Sequence, residues 1–137
     1  MLEYLKFHHI GYVVNDISTT AVYYTNVGWQ LSRITFDPIQ RSNVAFLSRE
    51  GFPLIELIAP ADETSPVIKI LEKSGVSTYH VCYEVEDIEK AVIELRKQKF
   101  IPIFKPVAAL ALGNSKICYL YNKSVGLIEI VNKKEEV

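Results

Sequence analysis

The sequence predicts an α+β protein built from two βαβββ modules. Two observations predict it: the chain aligns with itself, and each aligned half carries the same succession of β-prone runs and one amphipathic stretch of helical period. HIGYVVNDI (His9 to Ile17) lies without gaps on HVCYEVEDI (His80 to Ile88), with five of nine positions identical. VAFLSREGFPLIELI (Val44 to Ile58) lies on ICYLYNKSVGLIEIV (Ile117 to Val131), so the two offsets are 71 and 73 residues. Two ordered windows at nearly one spacing are hard to obtain by chance. They set the expected plan: one domain over residues 1–137, with module one at about 7–60, a linking helix at about 65–75 and module two at about 79–132.

Each element has a reason in the residues. His9 to Val14 is mostly apolar and β-prone, which predicts a strand. Asp16 follows as a helix cap, Ile17, Ala21 and Tyr24 recur at spacings of four and three, and Gly28 ends the helix. Strands are predicted next over Trp29 to Phe36, Asn43 to Ser48 and Leu54 to Ala59. In SPVIKILEKSG, Ser65 caps, Pro66 takes the first helical position, Val67, Ile70 and Leu71 make one face, and Gly75 stops the linking helix. The second module starts its strand at His80, caps its helix with Asp87 and sets Ile88, Ala91, Val92 and Leu95 along the apolar stripe. It continues with strands over Ile101 to Phe104, Lys116 to Tyr121 and Leu127 to Val131. Between them Val107 to Leu112 is too apolar for an ordinary exposed loop, so it is expected to cover a cavity mouth, to join a subunit contact or to pack as a strand edge.

Composition narrows the function classes. With 137 residues, 49% hydrophobic and 23% charged, the chain can bury a core and lies far from a disordered composition. Lys and Arg number 15 against 16 Asp and Glu, a formal charge of -1, so no excess of positive charge is available for a nucleic acid. The apolar runs fall short of the ~20 residues a membrane span needs, and MLEYLKFHHIG has no signal-peptide pattern. Cys82 and Cys118 both lie in apolar stretches and are expected to be buried, reduced thiols of a cytoplasmic protein.

Four polar residues do not suit their apolar strands: His9, Glu56, His80 and Glu129. Glu56 in PLIELIAP and Glu129 in GLIEIV are flanked by aliphatic residues, where a carboxylate costs several kcal/mol unless paired or ligated. Strand alternation puts Leu54, Glu56 and Ile58 on one face and Ile55 and Leu57 on the other, against the helix. Glu129 is likewise opposite in sense to Ile128 and Ile130. His9 shares a face with Gly11 and Val13, and His80 with Cys82 and Glu84. The repeat maps His9 onto His80 and Glu56 onto Glu129, so an approximate two-fold axis would bring two imidazoles and two carboxylates together. That set suits one divalent transition metal, Zn, Ni, Co or Mn, with water completing the sphere. It differs from the thiolate-rich coordination of a structural zinc site. The neighbouring His8 points to the opposite face and maps onto Tyr79, so it is assigned no ligand role.

In these residues the sequence resembles the vicinal oxygen chelate superfamily. HHIGYVVNDI, FPLIELIAP, TYHVCYEVEDIEKA and GLIEIV are similar, in order, to that family's four ligand-bearing segments, and the resemblance covers about residues 7–132. It implies a glyoxalase-like fold, in which two βαβββ modules form a curved mixed sheet around a metal cavity, with His9, Glu56, His80 and Glu129 as ligands. It also implies Glu129 as principal acid/base with Glu56 opposite, and a homodimer. ADETSPVIKILEKSG and the YHVCYEV after it are similar to methylmalonyl-CoA epimerases. Glyoxalase I (lactoylglutathione lyase) shares the His, Glu, His, Glu set. The implied activity is therefore that of a metal-dependent isomerase or lyase moving a proton at a carbon next to a carbonyl, most like the epimerases, with a thioester as small-molecule substrate.

Departures from the family patterns bear on that choice. Glutathione-using glyoxalases commonly carry an Arg four residues after the first ligand, where this chain has Val13. Epimerases commonly have a glycine-rich turn and a His-Pro pair around the last hairpin, where this chain has PVAALALG and Tyr121-Asn122; NVAFL offers no carboxylate in the strand before the second ligand. A drug-binding protein of the same superfamily is a further alternative, disfavoured by retention of all four ligands. An iron dioxygenase is disfavoured because a fourth protein ligand leaves fewer positions open.

Overall fold

The structure, a computed structural model, describes residues 5–134. The chain divides into two compact units, His9–Tyr79 and residues 5–8 with 80–134. The linking helix thus falls inside the first unit.

In the first unit β1 (Lys6–Val13, its last five residues in this unit) leads into α1 (Ile17–Thr25). Four strands follow, β2 (Gln30–Leu31), β3 (Thr35–Asp37), β4 (Ser42–Ser48) and β5 (Leu54–Pro60), and then α2 (Val67–Ser74). The strand order is β2-β4-β5-β1 with β3 also beside β4. β1 and β5 are parallel and the β4–β5 hairpin antiparallel, so this sheet is mixed. Asp16 caps α1 by accepting from Thr19 N at 2.9 Å. Leu57, Ala59, Ala45 and Leu47 pack with Ile17 and Ala21 of α1, joined by Tyr12 and Ile55. That is the face parity read from alternation.

The second unit repeats the plan. β6 (Ser77–Val85, its last six residues in this unit), α3 (Ile88–Lys97), β7 (Ile101–Pro102), β8 (Val107–Ala109), β9 (Ser115–Asn122) and β10 (Gly126–Asn132) give the order β6-β10-β9-β7, with β8 also beside β9. β6 and β10 are parallel, β9 and β10 antiparallel. Asp87 caps α3 through Glu89 N and Lys90 N, and Asn132 Oδ1 accepts from Ile88 N at 2.8 Å. Ile88 and Leu95 pack on Cys118, Leu120, Ile128 and Ile130.

Both helices stop in the same way. In α1 the N–H of Trp29 donates to Tyr24 O and that of Gly28 to Thr25 O; in α3 Phe100 donates to Leu95 O and Lys99 to Arg96 O. This is a Schellman closure, which needs a left-handed residue after the helix. Gly28 (φ 101°) and Lys99 (φ 68°) fill that place, 71 residues apart. An apolar contact closes each turn: Tyr24 edge-on to Trp29 in one, Leu95 and Phe100 in one buried cluster in the other.

Three elements differ from the sequence expectation. The strand expected over Trp29 to Phe36 is two short pieces, because the Ser32 hydroxyl accepts from Phe46 N at 2.8 Å where a ladder carbonyl would otherwise do so. The strand expected over Ile101 to Phe104 is shorter, Ile101–Pro102, although Ile103 N still donates to Tyr119 O at 2.8 Å just beyond it. The linking helix begins at Val67, not Pro66. Ser65 Oγ still accepts from Val67 N at 3.3 Å, and it also bonds Ser42 Oγ and Gln40 O in a buried polar group. The apolar segment 107–112 pairs along β9 and then forms one 3-10 turn with Leu110 exposed. Both cysteines are buried, and neither forms a disulfide.

Candidate metal centre

Each unit withdraws one imidazole and one carboxylate from solvent. His9 is 0% and Glu56 5% exposed, and His80 is 2% and Glu129 3% exposed. In the first unit the face of β1 and β5 turned away from α1 carries them: Gly11 sits in register with Glu56, and His9 Nε2 lies 3.5 Å from Glu56 Oε1. In the second unit Cys82 sits in register with Glu129, and His80 Nε2 lies 3.0 Å from Glu129 Oε1. All four residues singled out in the sequence are buried, and each histidine lies beside the glutamate of its own module. His8, by contrast, is only partly buried.

The donor chemistry fits a divalent cation. Two ligand atoms each ~2.1 Å from one ion, at angles between square and tetrahedral, stand about 3.0 to 3.4 Å apart. The His80–Glu129 separation of 3.0 Å lies at the lower end of that range and the His9–Glu56 separation of 3.5 Å just above its upper end. Nitrogen and carboxylate oxygen are the donors that Zn, Ni, Co and Mn share. The His9–Glu56 pair of one unit and the His80–Glu129 pair of the other are each, accordingly, candidates for metal ligation.

Two further residues at these pairs are not singled out by the sequence reading. Phe46 stands directly opposite Glu56 in the β4–β5 hairpin, edge-on to His9 with ring centroids 5.4 Å apart. Tyr119 stands directly opposite Glu129 in the β9–β10 hairpin, edge-on to His80 at 5.2 Å. The signal was in the aligned windows, where Phe46 falls on Tyr119; aromatic residues in apolar strands read first as core.

Elsewhere, burial pushes the Cys118 thiol up to about 11, with the negative charge of Glu89 adding to the shift. Cys118 Sγ donates to Phe104 O at 3.1 Å. At neutral pH it is a packed thiol, not a nucleophile. No helix among the described residues is long and apolar enough to cross a membrane.

Comparison with known proteins bears on the family and the fold. Residues 8–119 match the profile of the Glyoxalase/Bleomycin resistance protein/Dioxygenase superfamily. The chain is 30% identical to the mitochondrial methylmalonyl-CoA epimerase of Homo sapiens over 129 residues, covering 91% of this chain and 72% of the human one. It is 32% identical over 94 residues to an ethylmalonyl-CoA/methylmalonyl-CoA epimerase of Cereibacter sphaeroides, covering 67% of this chain and 69% of that one. Among solved structures, methylmalonyl-CoA epimerase from Mycobacterium tuberculosis superposes with a TM-score of 0.84 at 27% identity, over 95% of this chain and 89% of that one. The α+β fold of two βαβββ modules is thus the fold of these enzymes, and the chain belongs to the Glyoxalase/Bleomycin resistance protein/Dioxygenase superfamily.

Proposed function

We propose that this chain is a divalent-metal-dependent epimerase that inverts the carbon next to the carbonyl of a CoA thioester, of the methylmalonyl-CoA type. The observation that carries the metal is the buried His–Glu pair present once in each module. His9, Glu56, His80 and Glu129 together would hold one ion, Zn, Ni, Co or Mn. Such an ion supplies Lewis-acid polarisation of the substrate's carbonyl oxygen and so acidifies the adjacent C–H.

The protein's own groups do the rest. Glu129 takes the proton from that carbon as general base. Glu56, entering the cycle protonated, delivers its proton to the opposite face and so inverts the centre, and proton exchange with solvent then restores Glu129 as carboxylate and Glu56 as acid. Buried Cys82 and Tyr119, in register with Glu129 on either side, exclude water from that carboxylate.

Epimerase is preferred to glyoxalase I because the relatives and solved neighbours bear that name and because Val13 stands where glutathione-using enzymes carry Arg. The test is incubation in deuterated water with methylmalonyl-CoA and, separately, with the methylglyoxal–glutathione adduct. Deuterium entering the CoA ester with little turnover of the adduct is expected. Turnover of the adduct alone would move the assignment to lactoylglutathione lyase. The same reading proposes a homodimer, checked by light scattering on the eluted peak.

A further inference from the structure

We propose that Phe46 and Tyr119 are the positioning residues of the two metal-ligating histidines, acting through their rings. The inference rests on the reading of His9 and His80 as ligands. An imidazole has a soft, roughly two-fold second torsion, so burial by itself does not decide where its nitrogens point. In each unit an aromatic ring blocks that rotation. Phe46 meets His9 at an interplanar angle of 79° and Tyr119 meets His80 at 75°, with centroids 5.4 and 5.2 Å apart.

Both rings reach the histidine from the strand beyond the glutamate. Phe46 pairs with Glu56 and Tyr119 with Glu129 directly across an antiparallel hairpin, which places each ring on the same sheet face as its carboxylate. Each imidazole thus has an edge-on ring against it, with Nε2 beside the carboxylate at 3.5 or 3.0 Å. Tyr119 is itself buttressed by Phe104, edge-on at 5.7 Å. The arrangement occurs twice at equivalent positions of the repeat, and the chemistry common to Phe and Tyr is the ring, not the hydroxyl. Groups that orient a metal ligand without touching the metal typically govern affinity by ~10–100-fold.

The experiment is titration of the full chain with Co²⁺ alone, following its visible absorption, for wild type, Tyr119→Leu, Tyr119→Phe, Phe46→Leu and Phe46→Tyr. Melting of each metal-free variant is recorded beside it. Tyr119→Leu and Phe46→Leu are expected to bind Co²⁺ about 10 to 100 times more weakly, with altered absorption bands. Tyr119→Phe and Phe46→Tyr should match wild type. Leu variants that bind Co²⁺ like wild type would overturn the proposal, and so would a loss as large in Tyr119→Phe, which would assign the role to the hydroxyl. Weakened binding in both Leu variants that only tracks an equal loss of metal-free stability would also overturn it. A wild-type chain that takes up no Co²⁺ would instead remove the metal reading on which the proposal stands.

Discussion

His80 Nε2 and Glu129 Oε1 lie 3.0 Å apart on neighbouring parallel strands, both withdrawn from solvent. In the proposed reaction that carboxylate is also the base. Glu129→Gln keeps the shape and one oxygen but removes the capacity to accept a proton. Exchange of the carbon-bound proton of methylmalonyl-CoA with deuterated water should fall by about a hundredfold or more, measured by NMR. A larger fall in Glu56→Gln than in Glu129→Gln would reverse the two roles.

Metal removal should destabilise the chain. Glu56 and Glu129 are buried in aliphatic strands, and an ion that binds only the folded state adds about 2.7 kcal/mol at a concentration a hundred times its Kd. Melting with and without chelator should show a clearly lower midpoint for the stripped protein. An unchanged midpoint would mean that the carboxylates are satisfied without a cation.

The thiols should be silent. With the Cys118 thiol pushed up to about 11, and Cys82 fully buried, a thiol reagent at pH 8 should find no fast-reacting group in the native protein and two after unfolding. The folded state holds the Cys118 proton more tightly than the unfolded chain, whose ordinary thiol value is about 9. Its contribution to stability is therefore complete below pH ~9 and is lost as pH rises towards 11. Rapid modification of native protein at pH 8 would contradict this burial.

Much of this was legible because the sequence says it twice. A buried Glu in one strand is an oddity; the same Glu after the same offset is a design, and period-two alternation then places it opposite the helix-packing face. The caps at Asp16 and Asp87 were equally plain. What could not be read were features set by partners distant in sequence. The break after β2 depends on Ser32 meeting Phe46, fourteen residues on. Ser65 is divided between its helix and Ser42. Phe46 and Tyr119 look like core until the hairpin register sets each beside a Glu.

The repeat also exposes one local compromise. Lys99 (φ 68°) stands where the first module has Gly28 (φ 101°). Lys99→Gly should raise the melting midpoint by a few degrees, a gain of about 1 kcal/mol or less. Gly28→Ala should lower it by about 1–2 kcal/mol. The added methyl would meet Arg49 Cζ at an ordinary 3.6 Å, so that cost is backbone strain and not collision. Two changes of the same sign would remove the Schellman account of both helix ends.

The most direct measurement is metal stoichiometry on the reconstituted chain, by elemental analysis of wild type, His8→Ala, His9→Ala and His80→Ala. If the His9–Glu56 and His80–Glu129 pairs share one ion, wild type and His8→Ala should hold about one per chain, and His9→Ala and His80→Ala should each lose it, since either change strips one imidazole from a single sphere. Two ions per chain in wild type, with one remaining after either histidine is replaced, would contradict the shared centre.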